Sequence, residues 1–514
     1  MRRVAVVALV ASLAPACGHR EEFWDEAAPD AGMAAATDGA VYVVDAPAER
    51  LVELSLGGAS SLELRSFPLG RTPVVAVSTP DRSKVVVLTQ GDVPRTRPDD
   101  QAPALTAASR EGAVTYPLTE PRSSLVLDPA SEFAIVGAAA NDQFVTNPND
   151  LVIVDLRRGV APDNPRAHSV RSFGGRPAFV TTLPALTLPG GERRRLLLTE
   201  SERELGLVDL EDPARGEITV RLTPSGGRLA PGLVASSDGD PARDDDARVA
   251  ALLGDEGTMV VVELLPPTSA SQGAVRAFPT LVSLPAVPRS IAFVSTDLGP
   301  RIGALLPTRR SLALVDPATY AVSEVDVVRA FDTMTPAPAA ASTGVAFVLT
   351  GAVAEVALLS LADTAGKPYR SVESLALPAP ATRVLPSSGD DPRVVLELQQ
   401  GGFAVLDLAA RAVAPLSTRQ GAKLRRTGDG AHAIAFSPGG QSLASVPIDD
   451  LHPVNVFLSR PIATVFDVAR PGGDRAILAL HGQGALGVTV LDAAHPSLSA
   501  MTEYVAVLTG EGGR

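Results

Sequence analysis

The sequence predicts an all-β protein, a β-propeller formed by one ring of seven or eight four-stranded blades; more blades, or two rings, are the alternatives. Three observations lead to this prediction. A short apolar run that ends on an acidic residue returns along most of the 514 residues. No stretch of helical length shows a 3.6-residue apolar period, and 44 Gly and 44 Pro supply turns. Four-stranded antiparallel units arranged in a ring leave only short edges exposed.

The repeated run is clearest where it ends on Asp or Glu. Seven copies do so, at Val41–Asp45, Leu151–Asp155, Leu205–Asp209, Met259–Glu263, Leu312–Asp316, Phe403–Asp407 and Val488–Asp492. Three weaker copies lie near the midpoints of the longer gaps, at Val114–Leu118, Val356–Ser360 and Val454–Phe457. The ten copies recur at roughly 50 residues, a period typical of propellers and other repeat architectures.

The number of blades does not follow directly from the number of copies. Ten copies exceed the 4 to 8 blades that single rings usually carry. The prediction of seven or eight blades therefore takes some of the midpoint copies to be insertions, the alternative being two rings. Two further stretches, Val93–Ala107 and Leu183–Arg194, also have the character of insertions. Ring closure is expected to pair a strand near Val41 with the last blade around Tyr504–Leu508, because an open ring would leave two edges.

The composition excludes some classes of partner. The net charge is −13, and no run of Lys and Arg interleaves with the aromatic residues, which are 4% of the chain. Proteins that bind nucleic acid neutralise phosphates with clustered cations, so a nucleic-acid partner is not expected. The single cysteine, Cys17, allows no intrachain disulfide.

The N-terminal segment has the layout of a secretory signal. Arg2 and Arg3 precede an apolar run, Val4–Leu13, that is too short to span a bilayer. Small residues then lead to Cys17, and this pattern resembles a bacterial lipoprotein signal. The resemblance implies that Cys17 is lipidated and becomes the first residue of the mature chain, and Gly18 after it implies outer-membrane sorting. Ala14 and Pro15 depart from the usual pattern, so cleavage after Ala16 and a periplasmic or secreted protein are the alternative.

These features divide the chain into three parts. Residues 1–17 are the predicted signal, residues 18–40 a flexible tether, and residues 41–514 the propeller. No other stretch of about 18 apolar residues occurs, so contact with a membrane is expected through the N-terminal lipid only.

Some segments resemble known propeller repeats. Pro73–Asp92 and Val315–Val325 are similar to the YVTN-type repeats of bacterial surface and periplasmic propellers. Ala433–Gly439 resembles the Ser-Pro-Asp turn of WD-repeat and lactonase-like propellers, with Gly in place of Asp. The resemblance implies a propeller over about Val41 to Thr509. It implies no particular ligand, because the same fold hosts unrelated functions.

The recurrent acids allow two interpretations. They could form a ring of metal ligands, or each could begin the turn after its strand by accepting backbone N–H bonds. Because every copy occupies the same position at a strand end, the turn interpretation is favoured. The residues concerned are Asp45, Asp155, Asp209, Asp316, Asp407 and Asp492.

Other candidate sites are weaker. The densest acidic cluster could offer several oxygens to Ca²⁺, although its spacing fits no EF-hand loop and a solvated loop is favoured. Its members are Asp238, Asp240, Asp244, Asp245 and Asp246. Gly482–Gly487 matches G-x-G-x-x-G, but a strand follows it where a dinucleotide site needs a helix, which predicts a hairpin turn. The six histidines show no metal-binding spacing, and no catalytic residue or required cofactor is predicted.

Two functions follow as hypotheses. The first is a non-enzymatic cell-envelope lipoprotein whose propeller is a scaffold for protein or glycan partners. The alternative is an envelope hydrolase or lactonase-like propeller with a metal in the central channel. Converging carboxylates or histidines in the channel would favour the enzyme, and a mixed or apolar channel would favour the scaffold.

Overall fold

The computed structural model describes residues 33–57, 61–170, 177–187, 193–201, 203–221, 229–237, 247–253, 257–265, 275–336, 345–349, 351–362, 370–385, 391–416, 422–482, 486–505 and 507. Within them the chain forms ten four-stranded antiparallel sheets and one two-stranded hairpin. We number the strands β1 to β42 and the four-stranded sheets as blades 1 to 10, both in chain order. The described residues are almost entirely β-structure, with short 3₁₀ turns at Pro213–Arg215, Gln399–Gly401 and Leu498–Ala500.

The first strand of each blade lies at the centre of the ring, where first strands of several neighbouring blades contact one another. The innermost strands are β1 (Ala34–Ala36), β5 (Pro73–Ser78), β9 (Ser124–Leu127), β13 (Phe179–Thr182), β19 (Leu229–Ser236), β23 (Ser290–Thr296), β27 (Thr333–Pro336), β31 (Ala381–Leu385), β35 (Lys423–Arg426) and β39 (Ile462–Ala469). Most of their residues are partly exposed, since they face a central channel.

The second and third strands form the middle of each blade, and most of their described side chains are buried. The second strands are β2 (Ala40–Asp45), β6 (Val85–Thr89), β10 (Phe133–Gly137), β16 (Leu196–Glu200), β20 (Arg248–Leu253), β24 (Gly299–Leu306), β28 (Val345–Leu349), β32 (Arg393–Leu398), β36 (His432–Phe436) and β40 (Arg475–His481). The third strands are β3 (Arg50–Gly57), β7 (Ala104–Ser109), β11 (Asp150–Asp155), β17 (Glu204–Asp209), β21 (Thr258–Leu265), β25 (Ser311–Val315), β29 (Glu355–Ser360), β33 (Phe403–Asp407), β37 (Ser442–Pro447) and β41 (Gly487–Asp492). Their continuous apolar runs follow from burial on both faces, because a blade packs against a neighbour on each side.

The fourth strands are the outer edges of the blades and are the most exposed. They are β4 (Ser61–Pro68), β8 (Gly112–Pro117), β12 (Arg166–Ser169), β18 (Ile218–Arg221), β22 (Arg276–Ser283), β26 (Val322–Asp326), β30 (Val372–Ala376), β34 (Ala412–Leu416), β38 (Val454–Phe457) and β42 (Thr502–Tyr504). The predicted insertion at Leu183–Arg194 contains the hairpin of β14 (Leu186–Thr187) and β15 (Arg193–Arg194), between β13 and β16. The other predicted insertion, Val93–Ala107, is a loop that ends in β7.

The core consists of one apolar cluster at each junction between blades. Ten such clusters join blades 1 to 2, 2 to 3 and so on around the ring, and the last joins blade 10 to blade 1. In this closing cluster Val41 and Val43 of blade 1 pack with Leu478 and Val488 of blade 10. The ring is therefore closed.

The favoured number of seven or eight blades is wrong, and the alternative of more blades is the correct one. Each of the ten repeat copies lies in a different blade, although not always in the same strand. Val41–Asp45 is a second strand, whereas Val114–Leu118 and Val454–Phe457 overlap fourth strands. Buried apolar side chains, chiefly Leu, Val, Ala and Ile, fill every junction, so all ten copies have a neighbour on each side and none is an insertion.

The predicted mode of closure is also wrong. Every described strand pairs within its own blade, and blades 1 and 10 meet face to face through the closing cluster. Hydrogen bonds support this contact, including one from Leu62 N to Tyr504 Oη at 3.1 Å.

Because Ala34–Ala36 forms β1, the ring begins before Val41, and the tether predicted for residues 18–40 is too long at its C-terminal end.

The turn interpretation of the recurrent acids is confirmed for five of the six. In Asp407, Oδ1 accepts hydrogen bonds from the backbone N–H groups of Ala409 at 2.9 Å and Ala410 at 2.7 Å. The same contact, to the residues two or three positions later, occurs at Asp155, Asp209, Asp316 and Asp492. Asp45 differs because it ends a second strand, and it accepts a hydrogen bond from Arg50 Nε at 2.7 Å.

We expect Asp407→Ala to lower the free energy of unfolding by about 1 kcal/mol, because two backbone donors lose their acceptor. Asp407→Asn keeps an acceptor oxygen and should cost less. Asp209→Ala should cost more than Asp407→Ala, since Asp209 also forms a 2.7 Å ion pair with largely buried Arg194. Urea denaturation of the three variants tests this order, and equal losses in all three would contradict it.

Candidate ligand-binding channel

The charged residues of the innermost strands are confined to three consecutive blades. Seven of the ten innermost strands, as the structure delimits them, contain no charged residue and consist of apolar, hydroxyl-bearing, Pro and Gly residues. All charged residues of the innermost strands belong to β31, β35 and β39, and they are Arg383, Lys423, Arg425, Arg426 and Asp467. One side of the channel is therefore cationic within a protein of net charge −13.

Because side chains alternate between the two faces of β35, two of its cations lie in the channel. Lys423 and Arg425 are exposed, whereas Leu424 is buried between blades 8 and 9. Arg426 turns the other way and donates a hydrogen bond from Nη2 to Asp391 Oδ2 at 2.5 Å. Lys423 and Arg425 are thus the cations of this strand that a channel ligand would meet.

The guanidinium of Arg425 is held by an aromatic ring and a hydroxyl group. It lies over the ring of Phe466, 4.2 Å from the ring centre, and Nη2 donates to Thr464 Oγ1 at 3.3 Å. Although its side chain is accessible from the channel, the surrounding protein partly desolvates the guanidinium and lowers the pKa of Arg425; the neighbouring Arg82 and Arg383 lower it further, and Asp467 opposes them. Among the described carboxylates, none forms an ion pair with Arg425 or Lys423.

Asp467 anchors the cationic side of the channel. Its nearly buried carboxylate accepts hydrogen bonds from Arg475 Nε at 2.7 Å and from the backbone N–H of Gly428 at 2.8 Å, and it pairs with Arg82 at 3.3 Å. Arg82 also donates to the backbone oxygen of Asp467 at 2.8 Å. Asp467 lies in blade 10, Gly428 in blade 9 and Arg82 in blade 2. This one carboxylate therefore links blades on both sides of the ring closure.

A cavity of about 530 Å³ lies among these residues. Blades 8, 9, 10, 1 and 2 all contribute to it. Its apolar part includes Leu385, Phe436 and Phe466, and its polar part is dominated by cations. The volume falls within the range of about 300–1,000 Å³ that is usual for ligand sites. The cavity thus combines apolar walls with positive charge, the combination that holds organic anions.

The structure describes some of the site residues proposed from the sequence and not others. Cys17 and the acidic cluster Asp238, Asp240, Asp244, Asp245 and Asp246 lie outside the described residues. β40 and β41, on either side of the Gly482–Gly487 segment, pair as an antiparallel hairpin, as the prediction requires; residues 483–485 themselves lie outside the described residues. In the part of the chain that is described, no group of three His, Cys, Asp or Glu side chains could hold a metal ion.

The buried His481 is a structural residue. Its ring nitrogens lie 2.9 Å from the carbonyl oxygen of Pro461 and 2.7 Å from Thr489 Oγ1. Burial lowers the pKa of this imidazole, which favours its neutral form.

The channel cations were not predicted from the sequence. A signal for them existed, because Lys423-Leu-Arg-Arg426 is a charged strand in a repeat whose other innermost strands carry little or no charge. It could be recognised only once the innermost strand of each blade was known.

Within the described residues, no helix has the length and apolar character needed to cross a bilayer.

No family model matches the chain, and no curated protein matches it. Dihydro-heme d1 dehydrogenase NirN in complex with DHE is 14% identical, with 74% of this chain and 73% of that chain covered and a TM-score of 0.43. Sqt1 of Saccharomyces cerevisiae is 11% identical, with 73% and 95% covered and a TM-score of 0.43. Apo AztD of Citrobacter koseri is 11% identical, with 68% and 87% covered and a TM-score of 0.34. At such low scores the fold assignment rests on the sheet topology of this chain.

Proposed function

We propose that this protein is a non-enzymatic lipoprotein of the cell envelope, sorted to the outer membrane and anchored through Cys17, whose propeller binds a protein or glycan partner. The observation that carries the binding role is the confinement of innermost-strand charge to β31, β35 and β39. A positive site within a negatively charged protein selects partners that present acidic groups to the channel.

The binding role predicts a salt-dependent interaction that requires the channel cations. We expect Lys423→Glu to reduce capture of an envelope partner by the full chain about tenfold or more, because a negative group then faces the partner's acidic groups. Arg97→Glu is the matched control, since it makes the same charge change on the exposed loop between β6 and β7. Capture from solubilised envelopes is quantified at low and high salt. Equal capture by the two variants would contradict the channel as the binding site.

The proposed anchoring at the outer membrane requires a lipid on Cys17. We expect Cys17→Ser to lose incorporation of labelled fatty acid and to move from the membrane fraction to the soluble fraction, because a lipid is the expected membrane contact. Cell fractionation with metabolic labelling measures both effects. A wild-type chain that is soluble and carries no lipid would contradict the anchor and leave the binding role to be judged by the capture experiment.

A further inference from the structure

We infer that the channel cavity binds an organic anion with two separated carboxylate groups and that the bound anion stabilises the ring at its closure. The inference rests on the proposed binding function and names the chemistry of its ligand. The carboxylates are those of an acidic glycan or of a free small molecule. Three observations lead to it: the spacing of the two channel cations, the composition of the cavity wall, and the blades that the cavity joins.

The spacing of the cations favours two separate acidic groups. Lys423 and Arg425 lie two residues apart on one side of β35, about 7 Å along the strand. Neither forms an ion pair within the described part of the chain. By contrast, Arg383 is already bonded to Glu397 at 2.8 Å, and Arg82 to Asp467. Two carboxylates can pair with two separated cations, whereas one compact phosphate contacts them less well.

The cavity wall favours an organic ligand over an inorganic ion. The stacked and hydrogen-bonded Arg425 is preorganised, and a planar guanidinium binds a carboxylate through two parallel hydrogen bonds. Beside it, Leu385, Phe436 and Phe466 present carbon surface. A ligand whose acidic groups are carried on a carbon skeleton or a sugar ring satisfies both parts of the wall.

The position of the cavity couples binding to the ring closure. Its wall includes Ala36 of blade 1 and Ser78 and Arg82 of blade 2 on one side of the closure, and Thr464 and Phe466 of blade 10 on the other. These residues come together only when blade 10 packs against blade 1. A ligand that needs both sides binds the closed ring alone and therefore stabilises it.

The test uses the purified full chain with trigalacturonate, tricarballylate, maltotriose and inorganic phosphate. We expect a carboxylate ligand at saturation to raise Tm by about 2 °C or more, with no shift from maltotriose or phosphate. Lys423→Gln and Arg425→Gln should each weaken binding at least about tenfold in calorimetry, while Arg97→Gln binds as the wild type does. Lys423→Gln should leave Tm without ligand unchanged, which shows that folding is intact, whereas Arg425→Gln should lower it by a few degrees because the contacts with Phe466 and Thr464 are lost.

The result with the two carboxylates separates the sources of the ligand. Binding of trigalacturonate alone assigns the site to an acidic glycan, and binding of tricarballylate as well assigns it to the carboxylates themselves. Equal binding of phosphate, unchanged binding by both channel variants, or no binding of either acid at low salt would overturn the inference. Capture of an envelope partner without binding of these acids would overturn it and leave the proposed function standing.

Discussion

Replacing Asp467 by alanine should lower the free energy of unfolding by about 3–5 kcal/mol, the cost of leaving buried charges without their partner. The side chain of Asp467 is 7% exposed and that of Arg475 is 10% exposed. Without this buried carboxylate, Arg475 and Arg82 keep only the exposed Asp38, at 3.3 and 3.4 Å, as an anionic partner beside the further positive charge of Arg425. The backbone N–H of Gly428 loses its acceptor at the same time.

Urea denaturation of Asp467→Ala measures this loss, and Asp474→Ala is the matched control. Asp474 is exposed and lies in the same blade, so its replacement should change stability by no more than about 0.5 kcal/mol. Asp467→Asn should fall between the two, because it retains an acceptor for Gly428 but not the negative charge. A loss below 1 kcal/mol in Asp467→Ala would show that the carboxylate does not join the blades as argued.

Leu478→Ala should destabilise the protein by about 2–5 kcal/mol, because it removes a fully buried side chain from the closing cluster. The matched variant is Leu314→Ala, which removes an equally buried leucine from the junction between blades 6 and 7. Since the closing junction is built like the others, the two losses should agree within about 1 kcal/mol. A loss for Leu478→Ala of less than half that for Leu314→Ala would identify the closure as a loosely packed junction.

The repeat pattern predicted the all-β fold and the turn acids because both depend on local sequence. An apolar run followed by Asp determines a strand and the turn after it, as Asp316 and Asp407 illustrate. The number of blades was present in the ten copies. The usual size of rings predicts fewer blades, but it takes no account of the packing of Val and Leu at each junction.

The channel site could not be predicted from local sequence patterns. Arg82 and Asp467 are 385 residues apart in sequence and meet because the ring closes. Arg425 and Phe466 belong to different blades, and each lies on an innermost strand. The apolar runs alone do not show which strand of a blade is innermost, since Val41–Asp45 is a second strand and Leu151–Asp155 a third.

Each blade is formed by one uninterrupted stretch of chain, and the described strands of blades 1 and 10 are not shared between them. In the gene, a blade therefore corresponds to one continuous segment of roughly 50 codons. An in-frame duplication of such a segment adds a whole blade with both of its packing faces, and a deletion removes one, without separating strands that pair. A ring closed by a strand from the opposite terminus lacks this freedom, because its shared blade is encoded at both ends of the gene. The face-to-face closure of this propeller thus lets blade number change in single genetic steps, and a ring of ten is a size that repeated duplication can reach.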